Sequence, residues 1–244
     1  MNTLTVEEHP DRTVVTLNRP DARNAVNAAM ISELHAVCEE LERTPKLLLL
    51  TGAGGVFAAG ADIGELAARG RDEALQGVNS RLFDRIARLP LPTVAAVDGY
   101  ALGGGAELAF ACDLRLASDT AVFGNPEPGL GIIAAAGACW RLAGLVGTSV
   151  AKQVLLGGLK LTAERAHGLG LVADVAPPAE LLDRTHALLD GIARSAPTAL
   201  RLTKIVVDSP GGHPHVDDLA QAVLFETPEK RTRMDRFLTG RRNS

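Results

Sequence analysis

Two glutamates and two glycine-rich segments are the parts of this 244-residue sequence that could carry chemistry. Glu107 directly follows the run Gly103-Gly104-Gly105-Ala106, and Glu127 lies in the segment Asn125-Pro126-Glu127-Pro128-Gly129. The residues after Glu107 are apolar, and a carboxyl group in apolar surroundings tends to have a raised pKa and to serve as acid or base. A glutamate in a first helical turn also complements the helix dipole, which is its commoner use. The residue types alone leave both roles open.

Each glycine-rich segment follows a predicted strand. The apolar run at 47–50 predicts a strand buried on both faces and leads into the small residues of 52–62, while the β-branched run at 94–97 leads into the glycines. Residues 106–112 predict a helix, so the glycine N–H groups lie in its unpaired first turn, where oxyanions bind. A triple glycine alone is equally typical of a tight turn. Two such loops beside two carboxylates, however, fit the activation of a carbonyl compound combined with proton transfer.

The elements that must position these groups alternate strands and helices, which indicates an α/β protein. Asn27 is expected to cap a helix that buries one apolar face. Further strands are predicted at 13–17, 114–116, 121–123 and 171–175, and helices at 28–42, 63–69, 73–88, 150–156, 162–169, 178–194, from 197 onward, and at 216–238 with an interruption near Pro228.

Composition excludes several classes of function. The net charge of −4 and the aromatic content of 3% disfavour nucleic-acid binding, which needs a basic face and stacking rings. The N-terminus does not resemble a signal peptide, and no uncharged apolar stretch reaches the roughly 20 residues of a membrane helix. Three cysteines without CxxC spacing indicate reduced core residues and a cytoplasmic protein.

The sequence does not support a dinucleotide-binding motif or a metal site. The segment Gly129-x-Gly131-x-x-Ala134 matches a dinucleotide fingerprint as text, but prolines precede it instead of a strand and no acidic partner follows at the required spacing. The six histidines lack metal-ligand spacing, so no metal site is expected.

The sequence resembles the crotonase (enoyl-CoA hydratase/isomerase) superfamily along nearly its whole length. The matching segments occur in the order typical of that family, at 18–25, 57–63, 99–108, 111–113, 123–127 and 130–132. The resemblance implies a crotonase-like spiral of ββα turns over residues 1–195. It also implies a C-terminal α-helical region over residues 196–244 that forms a homotrimer or a dimer of trimers.

The resemblance also implies roles for individual residues. Backbone N–H groups of Ala61 and Gly104 would form an oxyanion hole for the thioester carbonyl of an acyl-CoA substrate. Glu107 and Glu127 would hold water and transfer its protons across the α,β double bond, with no cofactor beyond the coenzyme A of the substrate. The remaining expected CoA- and substrate-binding residues are Ala22, Ala59, Gly60, Asp62, Ile63, Leu130 and Phe237.

One segment departs from the family pattern. Where the family usually has Pro-Gly-Ala-Gly-Gly-Thr-Gln-Arg, this chain has Ala134-Ala135-Ala136-Gly137-Ala138-Cys139-Trp140-Arg141. The added alanines predict a stiffer helix start, and Trp140 is expected to add bulk beside the acyl pocket.

The leading hypothesis is therefore a hydro-lyase that hydrates trans-2-enoyl-CoA thioesters. A Δ3,Δ2-enoyl-CoA isomerase, which can work with one carboxylate, is the alternative within the same fold. A non-catalytic acyl-CoA binder is a third hypothesis, although such a protein is expected to lack one or both glutamates, and both are present.

Overall fold

The computed structural model describes residues 1–209 and 211–242, with the side chains of 240–242 left undescribed. The chain divides into two compact units, Met1–Leu189 and a second that begins at Asp190. The sequence boundary predicted at residue 195 stays a prediction.

Strands of the first unit form two sheets. In chain order they are β1 (Leu4–Glu8), β2 (Arg12–Leu17), β3 (Leu47–Gly52), β4 (Thr93–Val97), β5 (Tyr100–Leu102), β6 (Leu114–Ser118), β7 (Val122–Gly124), β8 (Leu161–Thr162) and β9 (Asp174–Ala176). The larger sheet has the order β1-β2-β3-β4-β6-β9, and the smaller one has the order β5-β7-β8. Only the β1–β2 and β7–β8 pairs are antiparallel.

Helices connect and cover these strands. They are α1 (Ala28–Arg43), α2 (Ile63–Ala68), α3 (Arg71–Gln76), α4 (Val78–Ala87), α5 (Gly104–Ala111), α6 (Ala138–Val146), α7 (Thr148–Leu155), α8 (Ala163–Gly168), α9 (Leu181–Ala193), α10 (Pro197–Val207), α11 (His215–Phe225) and α12 (Pro228–Arg242). The predicted α/β class is confirmed. No helix of the described chain is long and apolar enough to cross a membrane.

The central unit of the fold is β4–β5–α5. Every residue of β4 is buried, as the apolar run predicts, and the chain then passes from the larger sheet into β5 of the smaller one. The strands β6 and β7 repeat this change of sheet one turn further along the chain. This repetition is the ββα spiral, and it brings the start of α5 and the end of β7 to one place.

Several boundaries differ from the sequence predictions for identifiable reasons. The helix predicted at 73–88 is two helices, because Gly77 adopts a left-handed φ of +62° between them. The strand predicted at 171–175 is β9, which begins three residues later at Asp174. Strands β1 and β5 were not predicted, because β1 buries little beyond Leu4 and β5 has only three residues.

The C-terminal helices α10, α11 and α12 belong to the second unit. They leave several large apolar side chains exposed, among them Ile205, Val207, Leu219, Val223, Phe225, Met234 and Leu238.

Candidate active site

A cavity of about 510 Å³ in the first unit collects four of the residues expected to act on substrate. Ala61, Gly104, Glu107 and Glu127 all line it. The other lining residues come from α2, α3 and their connections and from the segment after Glu127: Leu66, Arg69, Gly70, Glu73, Ala74, Gly77, Val78, Asn79, Ser80, Ile132, Ile133, Ala135 and Ala136. The cavity therefore joins a backbone segment after β3, the start of α5 and the segment after β7.

The backbone N–H groups of Ala61 and Gly104 lie side by side. A Cβ built on Gly104 would come within 3.3 Å of the Ala61 nitrogen. Among the described residues neither N–H donates a hydrogen bond, whereas the flanking groups do: Val26 N–H donates to the Gly60 carbonyl (2.8 Å), and Asp62 N–H donates to the Val26 carbonyl (2.9 Å). These flanking bonds fix the segment and leave the Ala61 donor available at the cavity wall.

Two glycines allow α5 to start at this place. Gly103 has a φ of +50°, and a Cβ there would lie 3.1 Å from Glu127 Oε1. A Cβ on Gly105 would overlap the carbonyl of Ala58. A side chain at Gly105 would push the Ala58 backbone away from α5, and one at Gly103 would press on the Glu127 carboxyl group, so the triple glycine serves close approach as well as conformation.

Glu107 is the fourth residue of α5 and is buried, with only 3% of its surface exposed. Its Oε1 accepts a hydrogen bond from the N–H of Ala138 at 3.1 Å, which orients the carboxyl group. Burial raises the pKa of Glu107 to about 7, the Ala138 N–H opposes this rise, and the neighbouring Glu127 adds to it. A carboxyl group with a pKa near neutrality can both donate and accept a proton at neutral pH.

Glu127 opens a short 3-10 helix, Glu127–Leu130, and is also buried. Its Oε1 accepts a hydrogen bond from the Asn125 side-chain amide at 3.4 Å, while Oε2 is buried and has no hydrogen-bond partner among the described residues. Burial raises the pKa of Glu127 above its ordinary value, against the opposing effect of its own backbone N–H and the Asn125 amide. The free oxygen is thus an acceptor that a ligand or water can use.

The other expected binding residues lie outside this cavity. Ala22, Ala59, Gly60, Asp62, Ile63 and Leu130 belong to the first unit but are not among its lining residues. Ile63 and Leu130 are largely exposed, and Phe237 belongs to α12 of the second unit, where its side chain is also exposed. Their roles toward coenzyme A stay predictions.

Asp62 has an observed structural role. Its Oδ1 caps α2 by accepting from the N–H groups of Gly64 and Glu65, and its Oδ2 pairs with Arg19 at 3.2 Å. Its pKa is lowered, first by the hydrogen bond from the Glu65 N–H and then by the Arg19 guanidinium. This ion pair ties the N-terminal 18–25 segment to the loop that carries Ala61.

The departure at 134–141 has a different effect from the one predicted. Residues 134–136 are not helical, because α6 begins at Ala138. Trp140 does not line the cavity. Its ring is 59% exposed and lies under the Arg141 guanidinium, whose carbon is 3.9 Å from the ring centroid. The prediction that Trp140 adds bulk beside the acyl pocket is therefore wrong for this cavity, where Ile132 and Ile133 are the large apolar lining residues of that segment.

Sequence reasoning missed several polar residues at the site, among them Asn125, Asn79 and Arg69. Asn125 touches Glu127, and its position two residues before the glutamate was the available signal. Asn79 lines the cavity from α4, and Arg69 lines it from the C-terminal cap of α2. They are far from the glutamates in sequence, and no local pattern distinguishes them from solvated helix residues.

Comparison with known proteins identifies the family of this chain. The chain matches the family described as enoyl-CoA hydratase/isomerase over residues 12–232, and it belongs to that family, the crotonase superfamily. It is 40% identical to a short-chain-enoyl-CoA hydratase from Clostridium acetobutylicum over 85% of this chain and 82% of that protein. It is 39% identical to a 2,3-dehydroadipyl-CoA hydratase from Escherichia coli K12 over 84% of this chain and 81% of that protein.

A crystal structure of an enoyl-CoA hydratase from Bacillus anthracis superposes with a TM-score of 0.92 at 29% identity, covering 98% of this chain and 96% of that one. In the described part of the chain, no group of three or more His, Cys, Asp or Glu side chains is arranged to hold a metal ion.

Proposed function

We propose that this protein is an enoyl-CoA hydratase that adds water reversibly to the α,β double bond of trans-2-enoyl-CoA thioesters. The observation that carries the proposal is that one cavity is lined by two residues whose backbone N–H groups have no acceptor in the described chain and by two buried carboxyl groups. Family membership and the relatives' activities support it.

The thioester carbonyl accepts hydrogen bonds from the N–H groups of Ala61 and Gly104. These donors draw electron density from the conjugated double bond, so that the β-carbon becomes electrophilic and the oxygen carries the negative charge of the enolate. Because backbone donors are fixed before the substrate binds, this stabilisation needs little reorganisation during the reaction.

Glu107 and Glu127 supply the water chemistry. A water molecule held between the two carboxyl groups gives its hydroxyl to the β-carbon and one proton to an ionised carboxylate. The α-carbon receives a proton from the protonated partner, so one proton enters and one leaves the pair in each turnover. The raised pKa values of both groups suit this exchange, since one protonated and one ionised carboxyl can coexist near neutral pH.

Coenzyme A enters as part of the substrate, and no separate cofactor takes part in these steps. In the first unit we propose that the Ala59 carbonyl contacts its adenine and that its channel is lined by Ala22, Gly60, Asp62, Ile63 and Leu130. For the second unit we propose a CoA-binding role for Phe237. A homotrimer, or a dimer of trimers, is proposed as the working assembly in the cytoplasm, and the exposed apolar side chains of the second unit support the assembly.

Crotonyl-CoA and a 3-enoyl-CoA together test this proposal. The protein should remove the enoyl-thioester absorbance of crotonyl-CoA until the hydrated product is in equilibrium with it. Conversion of the 3-enoyl-CoA without hydration of crotonyl-CoA would instead identify an isomerase, and binding without turnover of either would identify an acyl-CoA binder.

A further inference from the structure

The walls of the active-site cavity differ in chemistry. One wall is apolar and consists of Ile132, Ile133, Ala135 and Ala136. Another part of the lining, called the polar wall below, comes from the α2–α4 segment and brings the polar side chains of Arg69, Glu73, Asn79 and Ser80 to the same space. An unbranched hydrocarbon chain needs only the first wall, so the polar wall calls for a reason of its own.

Arg69 and Asn79 form the centre of the polar wall. Arg69 donates from one terminal nitrogen to Asn79 Oδ1 at 3.0 Å. Because a guanidinium can only donate, this bond fixes the amide orientation and turns Asn79 Nδ2 the other way. Nδ2 lies 3.8 Å from the Cβ position of Gly104 and donates no hydrogen bond among the described residues. One side-chain amide thus separates the guanidinium from the proposed oxyanion hole.

Arg69 has no carboxylate partner within the described chain, although it is only partly exposed. Glu73, an acidic residue of α3 that also lines the cavity, instead accepts from the Gly70 N–H at 2.9 Å. Ser80 is also occupied, since its hydroxyl donates to the Gly77 carbonyl at 3.0 Å. The unused donors of the polar wall are therefore the remaining guanidinium N–H groups and the Asn79 amide.

We infer that the acyl group of the preferred substrate ends in a carboxylate, bound by Arg69 and Asn79. The substrate class is the CoA monothioester of a short α,β-unsaturated dicarboxylic acid. This inference rests on the proposed hydratase function and names the substrate of that same site. A planar guanidinium binds a carboxylate through two parallel hydrogen bonds, and the fixed Asn79 amide adds a third donor beside it.

Charge supports a carboxylate over a neutral polar group. Arg69 is the single cation among the residues that line the cavity in the described chain. A partly desolvated cation without a counter-charge is costly, so a carboxylate from the substrate removes that cost when it binds. Three carboxylates also line the cavity, and none of them forms an ion pair with Arg69 in the described chain: Glu107 accepts from the Ala138 N–H, Glu127 lies beside Gly103, and Glu73 accepts from the Gly70 N–H.

The test compares two substrates of equal carbon number, trans-2-hexenoyl-CoA and the CoA monothioester of trans-2-hexenedioic acid. The measured quantity is the ratio of their kcat/KM values, dicarboxylic over neutral. The wild-type protein is expected to give a ratio of about 10 or more. Arg69→Met should lower the ratio by about 10–100-fold, the range for a hydrogen-bonded charge, and Arg69→Lys should restore part of it, since an ammonium lacks the bidentate geometry.

Arg71→Met is the matched control, because Arg71 is two residues away on α3, highly exposed and absent from the cavity lining. It should leave the ratio at the wild-type value. A wild-type ratio at or below 1, or a ratio unchanged by Arg69→Met, would overturn the inference. An equal rise of KM for both substrates in Arg69→Met would also overturn it, because Arg69 would then serve the CoA part. Failure to hydrate either substrate would instead contradict the proposed hydratase function.

Discussion

At the scale of single residues, the burial of the proposed catalytic carboxyl groups lowers the stability of the folded state. Glu107 is held in the interior by one backbone hydrogen bond, and its ionised form lacks a cationic partner at hydrogen-bond distance in the described chain. Arg141 is close enough to lower the pKa of Glu107 slightly, but its guanidinium is bonded to Asp84 at 3.2 Å. Burial therefore raises the pKa of Glu107 and also lowers the stability of the folded protein when this group is ionised.

The burial of Glu107 predicts a pH-dependent stability. The pKa of Glu107 is about 7 in the folded protein and near 4.3 when unfolded, so the folded state binds more protons between these values and its stability falls as pH rises. Well above pH 7 the full penalty is about 4 kcal/mol. Glu107→Gln, which keeps the Ala138 hydrogen bond, should be more stable than wild type by roughly that amount at pH 8 and by about 1 kcal/mol at pH 5.

Urea unfolding at one protein concentration measures both values. Glu39→Gln, a substitution at an exposed position of α1, is the control and should show no such change between the two pH values. A Glu107→Gln advantage that is equal at pH 5 and pH 8 would mean that the carboxyl group is not titrating in this range.

At the scale of elements, the junction between β5 and α5 decides whether the site can form. The sequence predicts β4, the glycine turn and a helix bearing Glu107, and all three are present, because a buried apolar strand and a glycine run are strong local signals. The proximity of Gly104 to Ala61 has no local signal, since the two lie 43 positions apart and meet through the packing of separate loops. Knowledge of a family pattern, rather than periodicity, made that pair predictable.

Gly104→Ala tests this junction. The backbone N–H is kept, but the added methyl group would lie 3.3 Å from the Ala61 nitrogen and occupy the space that the carbonyl oxygen needs. The expected result is a loss of about 10²–10³ in kcat, the cost of a lost oxyanion donor, with little change in thermal unfolding. Gly144→Ala in α6, where a Cβ meets no atom within 4 Å, is the matched control and should keep full activity. Equal losses in the two variants would remove the special role of Gly104.

At the scale of the whole molecule, the second unit is the part whose apolar side chains remain exposed in the single chain. Leu219 and Val223 lie one turn apart on α11 and are 70% and 56% exposed. Apolar faces of this kind are usually covered by another protein surface. The predicted C-terminal helices are confirmed as α10, α11 and α12, but their partner could not be read from the helical pattern, because periodicity shows which face is apolar and not what covers it.

Light scattering of the intact protein at micromolar concentration should give the mass of a trimer or of a dimer of trimers. The double substitution Leu219→Asp with Val223→Asp should reduce this mass toward that of one chain, because two charges would be desolvated in the interface. Gln221→Asp, an exposed change on the same helix but off that face, should leave the assembly intact. A wild-type monomer would contradict the proposed assembly.

The central claim is that two buried carboxyl groups share the hydration of an enoyl thioester, and their substitution tests it most directly. The measurement is the rate at which crotonyl-CoA absorbance is lost with wild type, Glu107→Gln, Glu127→Gln and the double variant. Each single substitution should lower kcat by about 10²–10⁴, the usual contribution of an acid–base group. The double variant should be little slower than the slower single one, since the two groups act as a unit. Near wild-type hydration by either single variant, or losses that multiply in the double variant, would contradict the shared mechanism.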